Sequence, residues 1–180
     1  ILHLTKRGVK TMTLAAYGER GALPFWQTSF LITEELTRCH SLAEITDHWS
    51  VTPPSFMEKR KLIEKLAESV KGMHEAGVNH QDCYICHFLL QEGTQDLFII
   101  DLHRAEIRES LPWRWKSKDL SALAFSVSHL NLTRLDYFRF LRHYYGSLRG
   151  SQEEIVLLLK VVERKMRKIQ SHTLSLREKR

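Results

Sequence analysis

Asn79-His80-Gln81-Asp82-Cys83-Tyr84-Ile85-Cys86-His87-Phe88-Leu89-Leu90, with Asp96-Leu97-Phe98-Ile99-Ile100-Asp101-Leu102-His103 a short polar turn later, decides how this chain is read. A His-x-Asp tripeptide sets one carboxylate, Asp82, just beyond a helix stop at Gly77. Five residues on stands His87, a side chain able to bind metal. An apolar run then ends in a second carboxylate, Asp101, nineteen residues after the first. A carboxylate at the end of an apolar strand needs a partner, and a phosphate-bound Mg²⁺ is a good one.

The apolar positions on either side place this stretch in a fold. Upstream, Ser55 and Glu58 have capping-box spacing. Leu62, Ile63, Leu66, Ala67, Val70 and Met73 then form one stripe at helical spacing. Further upstream, Ser41 and Glu44 open a shorter helix to about Trp49, and Pro53-Pro54 separates the two. Val9 to Tyr17 and Phe25 to Ile32 read as an antiparallel pair of strands around the turn residues Gly18-Glu19-Arg20-Gly21. Ile1 to Lys6 reads as the end of a helix stopped by Gly8. Phe88 to Leu90 and Leu97 to Ile100 are short strands. From Trp113 onward the pattern is helical: about Ser117 to His129, then Leu135 to Tyr145 after Thr133 as N-cap, then from Ser151 into a basic tail.

Composition narrows the class. The chain has 180 residues, 43% hydrophobic and 27% charged, with a net charge of +6. That is ordinary for a soluble globular protein, and the charge favours an anionic partner such as a nucleotide, a phosphorylated glycan or an acidic membrane face. No apolar run approaches a membrane span and no secretory signal opens the chain. Cys39, Cys83 and Cys86 make an odd count without a disulfide framework, as suits a reducing cytosol. The chain starts in mid-pattern at Ile1, so residues before it are expected.

The spacing His80-x-Asp82, His87, Asp101 is the layout of a protein-kinase catalytic loop followed by its metal-binding Asp. In that reading Asp82 accepts the proton of the attacking hydroxyl, and Asp101 holds Mg²⁺ on ATP. His87 stands where kinases use Asn. Imidazole is a softer ligand than an amide oxygen, so His87 is open to three roles: metal ligand, phosphate contact, or hydrogen bonding near the base. Leu89 takes the apolar floor under the adenine. The fold class expected is α+β and protein-kinase-like, with residues 1–36 the rest of a β small lobe and hinge and residues 37–180 a helical large lobe. The buried anchor expected for the loop is Asp119, accepting backbone N–H groups near His80 or Gln81.

Cys83-x-x-Cys86-His87 competes for the same residues. It spells a haem-attachment signature, a redox pair or half a zinc site, with His103 at hand as a further ligand. Packing of both cysteines within the loop is the simpler expectation.

Asn79 to Leu90 closely resembles the bacterial lipopolysaccharide core heptose kinases (the Kdo/WaaP kinase family), and so do residues 9–13, 29–36, 100–105 and 113–120. The resemblance implies ATP- and Mg²⁺-dependent phosphorylation of a heptose in the lipopolysaccharide inner core of a Gram-negative bacterium. It implies work at the cytoplasmic side of the inner membrane. The basic tail from Lys160 to Arg180 reads first as a solvated terminal helix, with contact to anionic lipid headgroups as the alternative, and no nucleic acid partner is expected. The resemblance carries the base role onto Asp82 and the metal role onto Asp101; His87 is a candidate second metal ligand, and Glu34, Leu36 and Leu89 are the candidate nucleotide contacts. Two departures stand out. Gln81 replaces the usual Arg of His-Arg-Asp, which should cost regulation rather than chemistry. The Gly-rich loop, the strand Lys and its helix Glu are expected before Ile1; without them the chain would be an inactive kinase-like binding module.

Overall fold

The computed structural model describes residues 1–21, 28–148 and 152–177, the last stretch with side chains to residue 164. Its longest helix with described side chains throughout is α3, Phe56–Glu75. Ser55 Oγ accepts from the Glu58 N–H and Glu58 Oε2 accepts from the Ser55 N–H at 2.9 Å, so the capping box closes as the sequence predicts. Leu66, Ala67, Val70 and Met73 are buried, and Leu62 and Ile63 half-buried, on one face. Gly77, at φ +77°, turns the chain out of α3.

Before α3 come α1 (Leu2–Lys6), β1 (Leu14–Arg20), β2 (Thr28–Thr33), β3 (Cys39–Ser41) and α2 (Leu42–Thr46), which runs on as a 3₁₀ turn over Asp47–Ser50. β1 and β2 pair antiparallel as expected, but β1 starts and ends later than its β-formers suggest. Gly18 and Arg20 lie inside the strand rather than in a turn. The cause is cross-strand: Gly18 opposes Phe30, whose ring fills the space a Cβ would need. Phe25 to Gln27 of the second strand lie outside the described residues, as does Ser151 at the start of the last helix.

After α3 come β4 (Val78–Asn79), β5 (Phe88–Gln91), β6 (Leu97–Ile99) and β7 (Glu106–Ile107). Then follow α4 (Trp113–Ser126), α5 (Arg134–Tyr145) and α6 (Gln152–Arg177). β5 is the centre of a three-stranded antiparallel sheet, with Leu89 opposite both Ser41 of β3 and Phe98 of β6. β4 pairs with β7, a link the sequence pattern leaves unseen because each strand has only two residues.

α3 packs on α5 and α4 on α6 around Val70, Met73, Leu120, Leu123, Leu141 and Leu158. Phe88 and Ile99 are fully buried and root the small sheet in this core. Burying one such side chain contributes about 1.5–3 kcal/mol. α4 begins four residues before the expected Ser117 because Pro112, at φ −61°, serves as its N-cap. Among the described residues no helix is long and apolar enough to cross a membrane.

Candidate active site

Asp119 sits in the second turn of α4, fully buried. Its Oδ2 accepts the His80 N–H at 2.7 Å and its Oδ1 the Gln81 N–H at 2.9 Å. The expected anchor is therefore present, and the competing picture of an exposed first-turn Asp is not. A third group backs it from α3: His74 Nε2 lies 3.3 Å from Asp119 Oδ2, and His74 Nδ1 lies 2.6 Å from the Tyr144 hydroxyl on α5. With the phenol donating to Nδ1, the neutral tautomer carries its proton on Nε2, toward the carboxylate. Burial holds the His74 pKa below its ordinary value, against the pull of Asp119. The buried carboxylate thus has three donors, as a charge out of water requires.

The anchored loop turns sharply. Gln81 has φ +70° and Asp101 φ +59°, conformations that non-glycine residues adopt at a cost and that cluster where function demands them. The two segments are tied together by Ile100, whose carbonyl lies 2.9 Å from His80 Nε2 and whose N–H donates to the His87 carbonyl at 3.0 Å. The rings of His80 and His87 stack with centroids 5.5 Å apart. Burial lowers the His80 pKa.

Asp82, His87 and Asp101 come together on this frame. His87 Nδ1 lies 2.8 Å from the Asp82 carbonyl, and His87 Nε2 lies 3.2 Å from Asp101 Oδ2. His103 Nδ1 grips the other oxygen of Asp101. That hydrogen bond, aided by the charges of His103, His87 and His80, holds the Asp101 carboxyl below the usual range. Arg104, which the sequence reading left without a role, places Nη1 at 2.9 and 3.0 Å from the two oxygens of Asp82. The signal available for it was the cation three residues past the second Asp.

Leu89 is half-buried on β5, next to β3. Glu34 and Leu36 lie on the link between β2 and β3, Glu34 exposed with its N–H on the Thr13 carbonyl. The cysteines need a correction: Cys83 is buried as expected, but Cys86 is exposed. The 3₁₀ turn over Ile85–His87 points neighbouring side chains in different directions, Ile85 inward and Cys86 outward. Among the described residues no group of three or more His, Cys, Asp and Glu side chains could hold a metal unaided.

The model of the lipopolysaccharide kinase (Kdo/WaaP) family matches residues 1–144. The chain belongs to that family. It is 47% identical over 176 residues to the lipopolysaccharide core heptose(I) kinase WaaP of Pseudomonas aeruginosa, a match covering 94% of this chain and 66% of that protein. It is 42% identical over 174 residues to the heptose(I) kinase WaaP of Escherichia coli, covering 93% of this chain and again 66% of the relative. Among solved structures, WaaP in complex with acyl carrier protein superposes with a TM-score of 0.81 at 44% identity, over 91% of this chain and 72% of that one. The chain thus spans just under two thirds of the length of these two relatives. The kinase-like α+β class follows from family and architecture together.

The donor chemistry fits a Mg²⁺ that arrives on a nucleotide. Such an ion keeps phosphate and water oxygens and takes only one or two protein ligands. His87 Nε2 and Asp101 Oδ2, 3.2 Å apart, are the two groups that would hold such an ion.

Proposed function

We propose that the full protein transfers phosphate from ATP to a heptose in the inner core of lipopolysaccharide, with residues 37–180 as its large lobe. The observation that carries this reading is the Asp119-anchored loop, which presents Asp82 beside Asp101 through His87. A base works only if its oxygen is held in reach of the proton it removes.

Asp82 takes the proton of the attacking sugar hydroxyl. Arg104 fixes the carboxylate plane through one nitrogen and leaves lone pairs on both oxygens for the acceptor. Asp101 and His87 would hold Mg²⁺, whose charge would offset that of the nucleotide's phosphates. His103 aims Asp101 from the side away from His87. Glu34 and Leu36 meet the nucleotide at the hinge, and Leu89 supports the base from below. Gln81 bridges to the Arg104 carbonyl and the Glu106 carboxylate at 2.7 and 3.0 Å, holding the segment after Asp101 without a phosphate. That is how the reaction runs with Gln where relatives of the fold use Arg.

Two partners belong to the same reading. The substrate is membrane-borne, so the basic helix α6 would contact the inner face of the inner membrane. The solved relative is complexed with acyl carrier protein, and co-purification from the native host tests whether this chain shares that partner. The test of the activity itself is labelled phosphate from ATP appearing on core oligosaccharide that contains heptose and not on one truncated before it. Labelling of both, or neither, with the full-length protein would reject the assignment.

A further inference from the structure

Behind the catalytic loop, three buried side chains from three helices form one hydrogen-bonded line. Tyr144 of α5 sets its hydroxyl 2.6 Å from His74 Nδ1 on α3, and His74 Nε2 lies 3.3 Å from Asp119 Oδ2 on α4. Asp119 in turn accepts the N–H groups of His80 and Gln81, the two residues before Asp82. Tyr144 is 6%, His74 3% and Asp119 0% exposed, so each polar atom depends on the next for its hydrogen bond. Tyr144 has little room to turn. Its ring lies edge-on to His74 with centroids 5.6 Å apart, stacks on Phe140 at 6.2 Å and meets Tyr145 edge-on at 4.9 Å.

The direction of the protons follows from the charge at the end of the line. Asp119 is a carboxylate and can only accept, so the ring nitrogen that faces it carries the proton. A neutral imidazole has one such proton. Nδ1 is then bare, and the Tyr144 hydroxyl is its donor. Burial pushes the Tyr144 phenol well above its ordinary pKa, so it keeps that proton. Burial also lowers the His74 pKa, so the ring stays neutral and its two nitrogens stay unlike.

We propose that Tyr144 is a positioning residue for the Asp82 loop: by donating to His74 Nδ1 it fixes the imidazole proton on Nε2, where it holds Asp119 under the His80 and Gln81 amides. This rests on the kinase reading for what the loop does, and the experiment separates the two. Phenylalanine at 144 keeps the ring and removes only the donor. Nδ1 is then left bare in a dry interior, and the imidazole relieves that cost by turning away from Asp119. Asp119 Oδ2 keeps one donor of its two, and the loop that it anchors shifts. A base tolerates little such movement, because its oxygen has to stay in reach of the hydroxyl proton.

The test joins NMR of the imidazole nitrogens to phosphate-transfer kinetics, on the full-length wild type, Tyr144→Phe, His74→Gln and the double variant. Wild-type His74 should be a single neutral tautomer with its proton on Nε2. In Tyr144→Phe that tautomer should become mixed, and the His80 and Gln81 amides should exchange faster with solvent. Its kcat should fall by about tenfold while KM for Mg·ATP stays the same. In His74→Gln the side-chain amide offers Asp119 a donor with no tautomer to fix, so adding Tyr144→Phe should cost less than about twofold in kcat. A tyrosine that only fills space would lower the melting temperature and leave the tautomer and kcat alone. Undiminished kcat in Tyr144→Phe would overturn the proposal and leave the kinase reading standing. So would an unchanged tautomer, or an equal loss of kcat in both backgrounds. The tautomer and amide changes, seen in a protein that phosphorylates no heptose, would keep the relay and reject the kinase reading.

Discussion

At the scale of single residues, a few side chains set the working geometry, and their environments predict how it fails. Asp119 offers its two oxygens to two backbone N–H groups, and Asn at that position keeps only one acceptor. Asp119→Asn should lower stability by about 2–4 kcal/mol in urea unfolding, because a donor in the core loses its charged partner. His74 gives a pH signature. Burial lowers its folded pKa, so as pH falls through the unfolded value near 6.5 the unfolded chain takes up a proton that the folded chain refuses. Stability then drops on acidification, by up to about 1.4 kcal/mol per pH unit for each such group. His80 acts in the same sense. Melts at pH 7.5 and 5.5 should show this drop, and His74→Gln should make it shallower. Asp101→Asn removes the charge proposed to hold Mg²⁺, so calorimetry should show weaker Mg·ATP binding; unchanged affinity would take Asp101 out of the site.

At the scale of elements, the turn between α3 and β4 joins the helical core to the catalytic loop. Gly77 is left-handed, and a Cβ there would run into the Arg108 carbonyl, which belongs to a backbone held by the β4–β7 pair. Gly77→Ala should therefore cost more than about 2 kcal/mol in denaturant unfolding, from strain and overlap together. A loss under about 1 kcal/mol would mean that β7 is free to move away. The cysteines differ by element as well. Cys83→Ala empties a buried space and should lower stability by about 1–2 kcal/mol, whereas Cys86→Ala on the exposed turn should change little.

Across the whole molecule, what could be read in advance was what is local in sequence. The capping boxes at Ser41 and Ser55 and the N-cap at Thr133 form because cap and partner are three residues apart, and all three close in the structure, Thr133 as a full box with Asp136. Asp82, His87 and Asp101 were legible from spacing along one loop and strand. Asp119 was legible because a carboxylate among Leu120, Leu123 and Ala124 has to find donors. Arg104, His74 and Tyr144 were not, since their partners lie 22, 45 and 70 residues away and their own surroundings look ordinary. The start of α4 was misplaced because Pro112 supplies its fixed φ without any side-chain cap. The central claim joins these scales: a loop anchored on Asp119 turns Asp82 into the base of a sugar kinase. It is tested most directly by the rate of phosphate transfer from labelled ATP to dephosphorylated core oligosaccharide, comparing full-length wild type with Asp82→Ala and Asp82→Asn. Both variants should keep the wild-type melting temperature and Mg·ATP affinity while the rate falls by at least about a hundredfold; either one retaining most of the activity would contradict the account.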